Sequence, residues 1–258
     1  MLYAKKSLGQ HFLKDENIAQ KIVDEFFASG NLPAVLEIGP GRGVLTKYLL
    51  MRKGISYTGV ELDQRMIPLL LQEFPQLEGH VYNEDILEFD LNRSGKEEWS
   101  IIGNFPYNIS SQILFKVLEH KERIIFLVGM FQKEVARRVA ASSGNKEYGI
   151  LSVLIQAYYS VEYLFDVDAH CFTPPPKVTS GVIRLIRKSE VPLIHDAGHF
   201  KILVKSGFGQ RRKTLRNSLH QHIMHLAFTG DPVFNKRAEQ LSVEEWIALS
   251  NGIVSNAS

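Results

Sequence analysis

Ala34-Val35-Leu36-Glu37-Ile38-Gly39-Pro40-Gly41-Arg42-Gly43 is the stretch that decides the fold. Its first half is a short, mostly apolar run bounded by turn residues, which is how a buried strand reads. Its second half sets glycine at alternate positions, where the strand ends and hands the chain to a helix expected over residues 44–51. Glycine lets the backbone approach a ligand there, and the first amides of a helix are free to donate. Upstream, Ile18, Ile22, Val23, Phe26 and Phe27 recur at helical spacing behind Asp15, a residue type suited to the N-cap. Downstream the alternation repeats. Residues 56–61 read as a strand, 65–74 as a helix, 80–83 and 100–103 as strands, and 110–119 as a helix. A strongly apolar strand is expected at 123–128 and a helix at 133–141. Strands alternating with helices imply parallel pairing in a doubly wound α/β sheet. Segments 161–166 and 181–187 add two strands across the loop carrying Thr173-Pro174-Pro175-Pro176. Beyond about residue 188 strand signals fade, and short helices are expected at 200–207, 213–219 and 243–251.

Two nucleotide-type ligands compete for the glycine loop. A dinucleotide site needs G-x-G-x-x-G, and Val44 stands where the third glycine belongs. The spacing present, G-x-G-x-G through Gly39, Gly41 and Gly43, resembles the first motif of Rossmann-like methyltransferases. Glu61 closes the next strand, where a carboxylate can accept both ribose hydroxyls of an adenosine; this feature suits either ligand. Asp85 follows the third strand, at the place that adjoins the adenine in this fold. Glu84 is adjacent, and either acid could equally be an exposed turn residue.

Asn104-Phe105-Pro106-Tyr107 follows the strand at 100–103 directly and resembles the (Asp/Asn/Ser)-Pro-Pro-Tyr motif of amino-methyltransferases. An adenine amino nitrogen is a poor nucleophile because its lone pair is delocalised into the ring. Hydrogen bonds from that amine to the Asn104 side-chain oxygen and to the Phe105 carbonyl would pull it toward tetrahedral geometry. Pro106 fixes the backbone and removes a competing donor. Tyr107 would stack on the extruded base. No strong general base is needed, since the nitrogen sheds its proton readily once alkylated; positioning supplies most of the rate.

With these motifs in order, the chain resembles the small-subunit ribosomal RNA adenine dimethyltransferases, the kasugamycin-resistance family, over nearly its full length. The matching blocks are Lys6-Ser7-Leu8-Gly9-Gln10-His11-Phe12-Leu13, 36–43, Val60-Glu61-Leu62-Asp63, 103–111, Gln132-Lys133-Glu134-Val135, 172–178 and 210–219. The resemblance implies a Rossmann-like methyltransferase domain at 1–188 and a small helical, RNA-facing domain at 189–258. It implies that His11, Leu13, Gly39, Gly41, Glu61, Asp85 and Asn104 contact S-adenosylmethionine, with no metal. Phe172 is implied as a second aromatic stacking on the target base beside Tyr107. The implied reaction is dimethylation of two adjacent adenosines in the 3′-terminal hairpin of the small-subunit RNA, by a monomer serving subunit biogenesis. Two departures stand out: many members carry Asn at the place of His11 and Leu at the place of Phe105. Competing readings are a large-subunit methyltransferase of the macrolide-resistance type and a non-catalytic RNA-binding assembly or transcription factor on the same fold. The segment 172–178 and the Arg-rich 210 block favour the small-subunit reading over the large-subunit one, and an intact Asn104–Tyr107 motif argues against the non-catalytic one.

Charge distribution says more than total charge, which is +2 over 258 residues. Between Arg184 and Arg216 nine Lys or Arg residues face two acids, densest at Gln210-Arg211-Arg212-Lys213. Such an excess can follow a phosphate backbone, so Arg211, Arg212 and Lys213 are expected RNA contacts, with Lys5 and Lys6 adding an N-terminal one. Cys171 is the only cysteine, which excludes an intrachain disulfide and fits a reducing cytoplasm. It has no evident base partner and is expected to pack. His220, His222 and His225 lack the spacing of a zinc site. No apolar run reaches the roughly 18 residues that span a bilayer, and the basic, polar N-terminus does not read as a secretory signal.

Overall fold

The computed structural model describes Lys5, Gly30, Leu32 and residues 8–28, 34–93, 95–224 and 230–257. Among the described residues nine strands run in chain order: β1 Phe12–Leu13, β2 Ala34–Ile38, β3 Ser56–Val60, β4 Val81–Tyr82, β5 Trp99–Asn104, β6 Ile124–Gln132, β7 Tyr159–Val167, β8 Phe172–Thr173 and β9 Ser180–Arg187. Seven form one sheet in the order β4-β3-β2-β5-β6-β9-β7. The strands from β4 to β6 are parallel, and β9 joins β6 antiparallel. The α/β fold read from the sequence is therefore present. β9 departs from the parallel pairing expected: it follows its sheet neighbour β7 through the loop that carries β8, with no α-helical crossover.

Chain order reverses at β2. Strands β3 and β4 extend the sheet to one side and β5 and β6 to the other, so the loops after β2 and β5 diverge and leave a crevice at their carboxyl ends. Register fixes what meets there. Ile38 lies opposite Val60 and Glu37 opposite Ile102, bringing the residues just past β2, β3 and β5 to one level. The short pair β1–β8 sets Leu13 against Phe172 and ties the N-terminal segment to the loop before β9.

Helices flank the strands because each presents one apolar face. In α1 (Glu16–Phe27), Ala19, Ile22, Val23 and Phe26 are buried, and Asp15 caps the helix by accepting from the amides of Asn17 and Ile18. The helix after the glycine loop, α2, is only Thr46–Leu49, shorter than the 44–51 expected, because turns occupy 41–45. Next come α3 (Met66–Glu73), α4 (Ser110–Glu119) and α5 (Lys133–Ala140).

Spatial proximity of Cα atoms divides the chain into two units: Met1–Ala136 with Glu162–Arg187, and Arg137–Val161 with Lys188–Ser258. A single break near residue 188 is thus only half of the division, because 137–161 groups with the C-terminal helices. That segment carries α6 (Ile150–Tyr158), which has no counterpart in the sequence reading. Leu151 to Ile155 and Ala157 are all buried, and its polar residues Ser152 and Gln156 donate to the carbonyls of residues 138, 139 and 141, so no solvent-facing side marks the helix. The second unit continues with α7 (Ala197–Gly209), α8 (Leu215–Ser218), α9 (His220–Ile223) and α10 (Val243–Ala257). Trp246 is buried there, with Phe208 stacked on it at 5.8 Å.

Candidate active site

The crevice at the switch point opens into a cleft of about 1060 Å³, counting its open mouth, lined by the glycine loop, Glu61, Asp85, the Asn104–Tyr107 segment and residues 8–13. Gly39 and Gly41 take φ of +67° and +58°, values that other residues adopt only under strain. A Cβ on Gly39 would meet nothing within 4 Å, so the space before the loop is open to a ligand. Beneath the loop lies Glu37, whose Oε2 accepts from Thr46 Oγ1 and Tyr57 OH, each at 2.7 Å. Burial pushes its carboxyl up to about 7, with the neighbouring Glu61 charge adding to the effect.

That shift has a signed consequence. The folded chain holds a proton on Glu37 that the unfolded chain releases near 4.5, so ionisation erodes stability as pH rises from there through about 7. Glu37→Gln keeps an acceptor for both hydroxyls and cannot ionise. The variant is expected to lose less stability than the parent between about pH 5 and about pH 8, read by urea unfolding. Parallel losses would remove this account of Glu37.

Glu61 stands where β3 ends. Its Oε2 accepts from the Gly41 amide at 2.9 Å and its Oε1 from the Asp63 amide at 2.8 Å, so the carboxylate holds the loop while facing the cleft. Burial raises its pKa, opposed by these amides. Both adjacent acids border the cleft, and Asp85 accepts from the Leu87 amide at 2.9 Å. Glu84 is engaged by the Arg93 guanidinium, whereas Asp85 has no ion pair among the described residues and keeps acceptor capacity beyond the Leu87 amide.

Residues 8–13 form a strap along the cleft. Gln10 donates from Nε2 to Asp63 at 2.9 Å and accepts the Lys5 amide at 2.9 Å. Asp63 also takes two guanidinium donors from Arg65, which holds its carboxyl far below the usual carboxylate range. The Asn104 Nδ2 donates to the His11 carbonyl at 2.8 Å. A carbonyl can only accept, so this bond fixes which end of the amide is which and leaves Oδ1 as the free acceptor. His11 Nδ1 lies 2.8 Å from the Pro174 carbonyl, and its ring stacks on Tyr107 with centroids 5.3 Å apart. Tyr107 OH is held by Ser180 Oγ at 2.5 Å.

Most of the residues singled out from sequence meet in this cleft: His11, Leu13, Gly39, Gly41, Glu61, Asp85, Asn104, Phe105, Pro106 and Tyr107. Two aromatic side chains do not behave as expected. Phe172 is 1% exposed and belongs to the core with Leu13 and Val167, because its β8 partner Leu13 turns it inward; it is not a cleft wall. The Phe105 ring is equally buried, edge-on to Phe131 at 4.9 Å, so only its backbone can face a substrate. Cys171 is buried and its thiol is pushed up by burial and Asp15, which fits packing. Gln10, Asp63 and Ser180 were missed as site residues. The first two lie inside the quoted family blocks, where only spatial pairing reveals their role.

The basic residues sort unevenly. Arg211 is partly engaged within the helical unit, with Nη2 3.4 Å from the Asn145 carbonyl and Nε 3.8 Å from Glu239. Arg212 and Lys213 are exposed. Lys5 lies 3.6 Å from Asp63, and Lys6 falls outside the described residues. So does His225, while His222 Nε2 contacts Ser206 Oγ at 3.0 Å. Among the described residues no three His, Cys, Asp or Glu side chains are grouped to hold a metal, and no helix is long and apolar enough to cross a membrane.

Comparison with known proteins agrees with this geometry. Residues 1–254 match the family described as ribosomal RNA adenine dimethylase. A Cytophaga hutchinsonii protein named ribosomal RNA small subunit methyltransferase A is 54% identical over 248 residues, covering 96% of each chain. The crystal structure of a dimethyladenosine transferase from Plasmodium falciparum is similar with a TM-score of 0.77 at 25% identity, over 96% of this chain and 98% of that one. The 23S rRNA methyltransferase ErmE follows with a TM-score of 0.68 at 26% identity, over 94% and 99% of the two chains.

Proposed function

The chain belongs to the ribosomal RNA adenine dimethylase family, and from that premise we propose which of its residues carry out the reaction on small-subunit RNA and how. It is an rRNA adenine dimethyltransferase. The large-subunit alternative is not favoured, since the small-subunit relative is 54% identical and the large-subunit structure 26%. Its targets are two adjacent adenosines in the 3′-terminal hairpin, and it acts in the cytoplasm as a monomer on the ribosomal subunit during biogenesis.

The donor set suits S-adenosylmethionine. An open, positive-φ glycine loop can take the methionine part, Glu61 retains lone pairs for ribose hydroxyls, and Asp85 can accept adenine amino hydrogens. His11 and Leu13 close the cleft from the strap. S-adenosylmethionine supplies an electrophilic methyl group there. The protein's share is to bind and aim the target amine. Asn104 Oδ1 and the Phe105 carbonyl accept its two hydrogens, which turns the nitrogen lone pair out of the ring plane. Tyr107, steadied by Ser180 and backed by the His11 ring, offers its free face to the base. The single observation that carries this reading is the Asn104 amide, pinned by the His11 carbonyl with its acceptor end free. Arg212 and Lys213 contact the RNA backbone.

The test is transfer of labelled methyl groups by the purified protein to immature small and large subunits, with the product mapped by mass spectrometry. Dimethyladenosine is expected in the small-subunit hairpin, and its appearance only in large-subunit RNA would overturn the assignment. In equilibrium binding to the small subunit over a salt series, Arg212→Ala/Lys213→Ala is expected to weaken affinity and flatten its salt dependence by about two phosphate contacts. An unchanged slope would take these two residues off the RNA face.

A further inference from the structure

Lys116 sits on α4, the helix that follows the Asn104–Tyr107 segment, and its ammonium reaches the turn after Asp85. Its Nζ donates to the carbonyls of Leu87 and Phe89, each at 2.9 Å. These carbonyls belong to the turn that starts at Asp85, whose own carbonyl accepts the Glu88 and Phe89 amides at 3.0 and 2.9 Å. Trp99 Nε1 closes the far end of the segment on the Leu91 carbonyl at 3.1 Å. The Lys116 stem lines a small apolar space with Ile38, Ile86 and Ile113, and Ile86 also lines the cleft. One half-buried cation therefore grips two carbonyls of the turn that presents Asp85 and Ile86; burial lowers its pKa, opposed by the nearby charges of Glu88, Glu119, Asp85 and Asp90.

We propose that Lys116 is a positioning residue for the adenine end of the donor site: it fixes the turn 85–89 so that Asp85 and Ile86 meet the donor in one geometry. This rests on the reading that S-adenosylmethionine places its adenine at Asp85. Nothing in a helix interior calls for a lysine here; an apolar side chain of equal length would fill the same space. What only the ammonium provides is donation to two carbonyls that otherwise lack a side-chain partner. α4 thereby joins the segment that aims the amine to the turn that holds the donor.

Lys116→Met keeps the stem and removes the donors; Lys116→Arg keeps the donors. Calorimetric titration with S-adenosylhomocysteine should show binding weakened about tenfold in the Met variant and largely restored in the Arg variant. In steady state the donor KM should rise in parallel while kcat at saturating donor stays within about twofold. Lys116→Gln, which can still donate to one carbonyl, should fall between and serves if the Met variant does not fold. Asp85→Ala is the control for the underlying reading. If Asp85→Ala weakens binding and Lys116→Met does not, the Lys116 inference is wrong. Loss of kcat together with melting temperature, without a change in donor affinity, also overturns it, since that is what a merely structural lysine would give. If Asp85→Ala binds as the parent does, the adenine is elsewhere and both readings fall.

Discussion

Replacing Asn104 with alanine is expected to lower kcat for methyl transfer by about 10²–10³-fold, the loss typical when one positioned partner of the reacting group is removed. The size follows from where Asn104 acts. Its Nδ2 is spent on the His11 carbonyl, so Oδ1 is the only part of the side chain left for the amine. Alanine removes that acceptor at the moment the nitrogen changes geometry, and a group used only then lowers kcat more than substrate affinity. Donor-product affinity should fall less than kcat, because alanine releases the His11 anchor of the strap but leaves the glycine loop, Glu61 and Asp85 in place. Asn104→Asp separates the two duties of the side chain. Aspartate still offers an oxygen to the amine, but its carboxylate faces the His11 carbonyl with no hydrogen to give. The strap is then pushed away, and donor binding should suffer along with rate. Single-turnover transfer and calorimetry on both variants measure this. Turnover of Asn104→Ala within about threefold of the parent would show that the amine is aimed by something else.

The motifs that carry this site were legible because each is a local signal. A strand running into glycines, an acid at the next strand end and Asn104-Phe105-Pro106-Tyr107 after a third strand need only sequence order to be placed at one crevice. What stayed hidden depends on facing. Phe172 lies in a two-residue strand whose alternation offers no pattern to read, and only its pairing with Leu13 shows that it points into the core. Gln10 and Asp63 are 53 positions apart and meet only because the strap folds over the end of β3. The helix α6 was hidden for a different reason: it is short, and its polar residues Ser152 and Gln156 are turned inward onto the carbonyls of residues 138, 139 and 141 rather than toward water.

The strap makes the cleft one connected object. Gln10 ties it to the end of β3, the His11 carbonyl ties it to Asn104 at the end of β5, and Leu13 ties it to β8. A change at one anchor is therefore felt by both the donor side and the amine side, since residues 8–13 line the cleft between them. The exchange of Asn for His at position 11 fits this arrangement. The ring reaches the Pro174 carbonyl through Nδ1 and at the same time backs Tyr107, two contacts from a single side chain.

The other departure from the family pattern, Phe105, leads to the second large expected effect. Gly129 lies directly opposite Gly103 across β5 and β6, and the Phe105 ring rests over both. A Cβ on Gly129 would come within 2.1 Å of the Phe105 Cε2, and one on Gly103 within 2.6 Å of its Cε1 and 2.7 Å of the Ile38 carbonyl. The ring cannot withdraw, because Phe131 meets it edge-on at 4.9 Å. Gly129→Ala must therefore either strain the core or expel the ring, and expulsion drags the Phe105 carbonyl away from the amine. Overpacking of this kind costs about 1–3 kcal/mol, which in a chain of this size lowers Tm by several degrees. The fall in kcat is expected to exceed tenfold, roughly the effect of misplacing a reacting group by a fraction of an ångström. Phe105→Leu is the informative partner, since the shorter side chain leaves room for the added methyl. Alone it should cost about 1 kcal/mol for lost ring packing. Combined with Gly129→Ala it should recover part of both Tm and kcat, a favourable coupling that independent sites would not show. Additive losses in the double variant would mean that the ring and the glycine do not share this space, and that residue 105 is positioned by its own amide, which donates to the Met130 carbonyl, rather than by its ring.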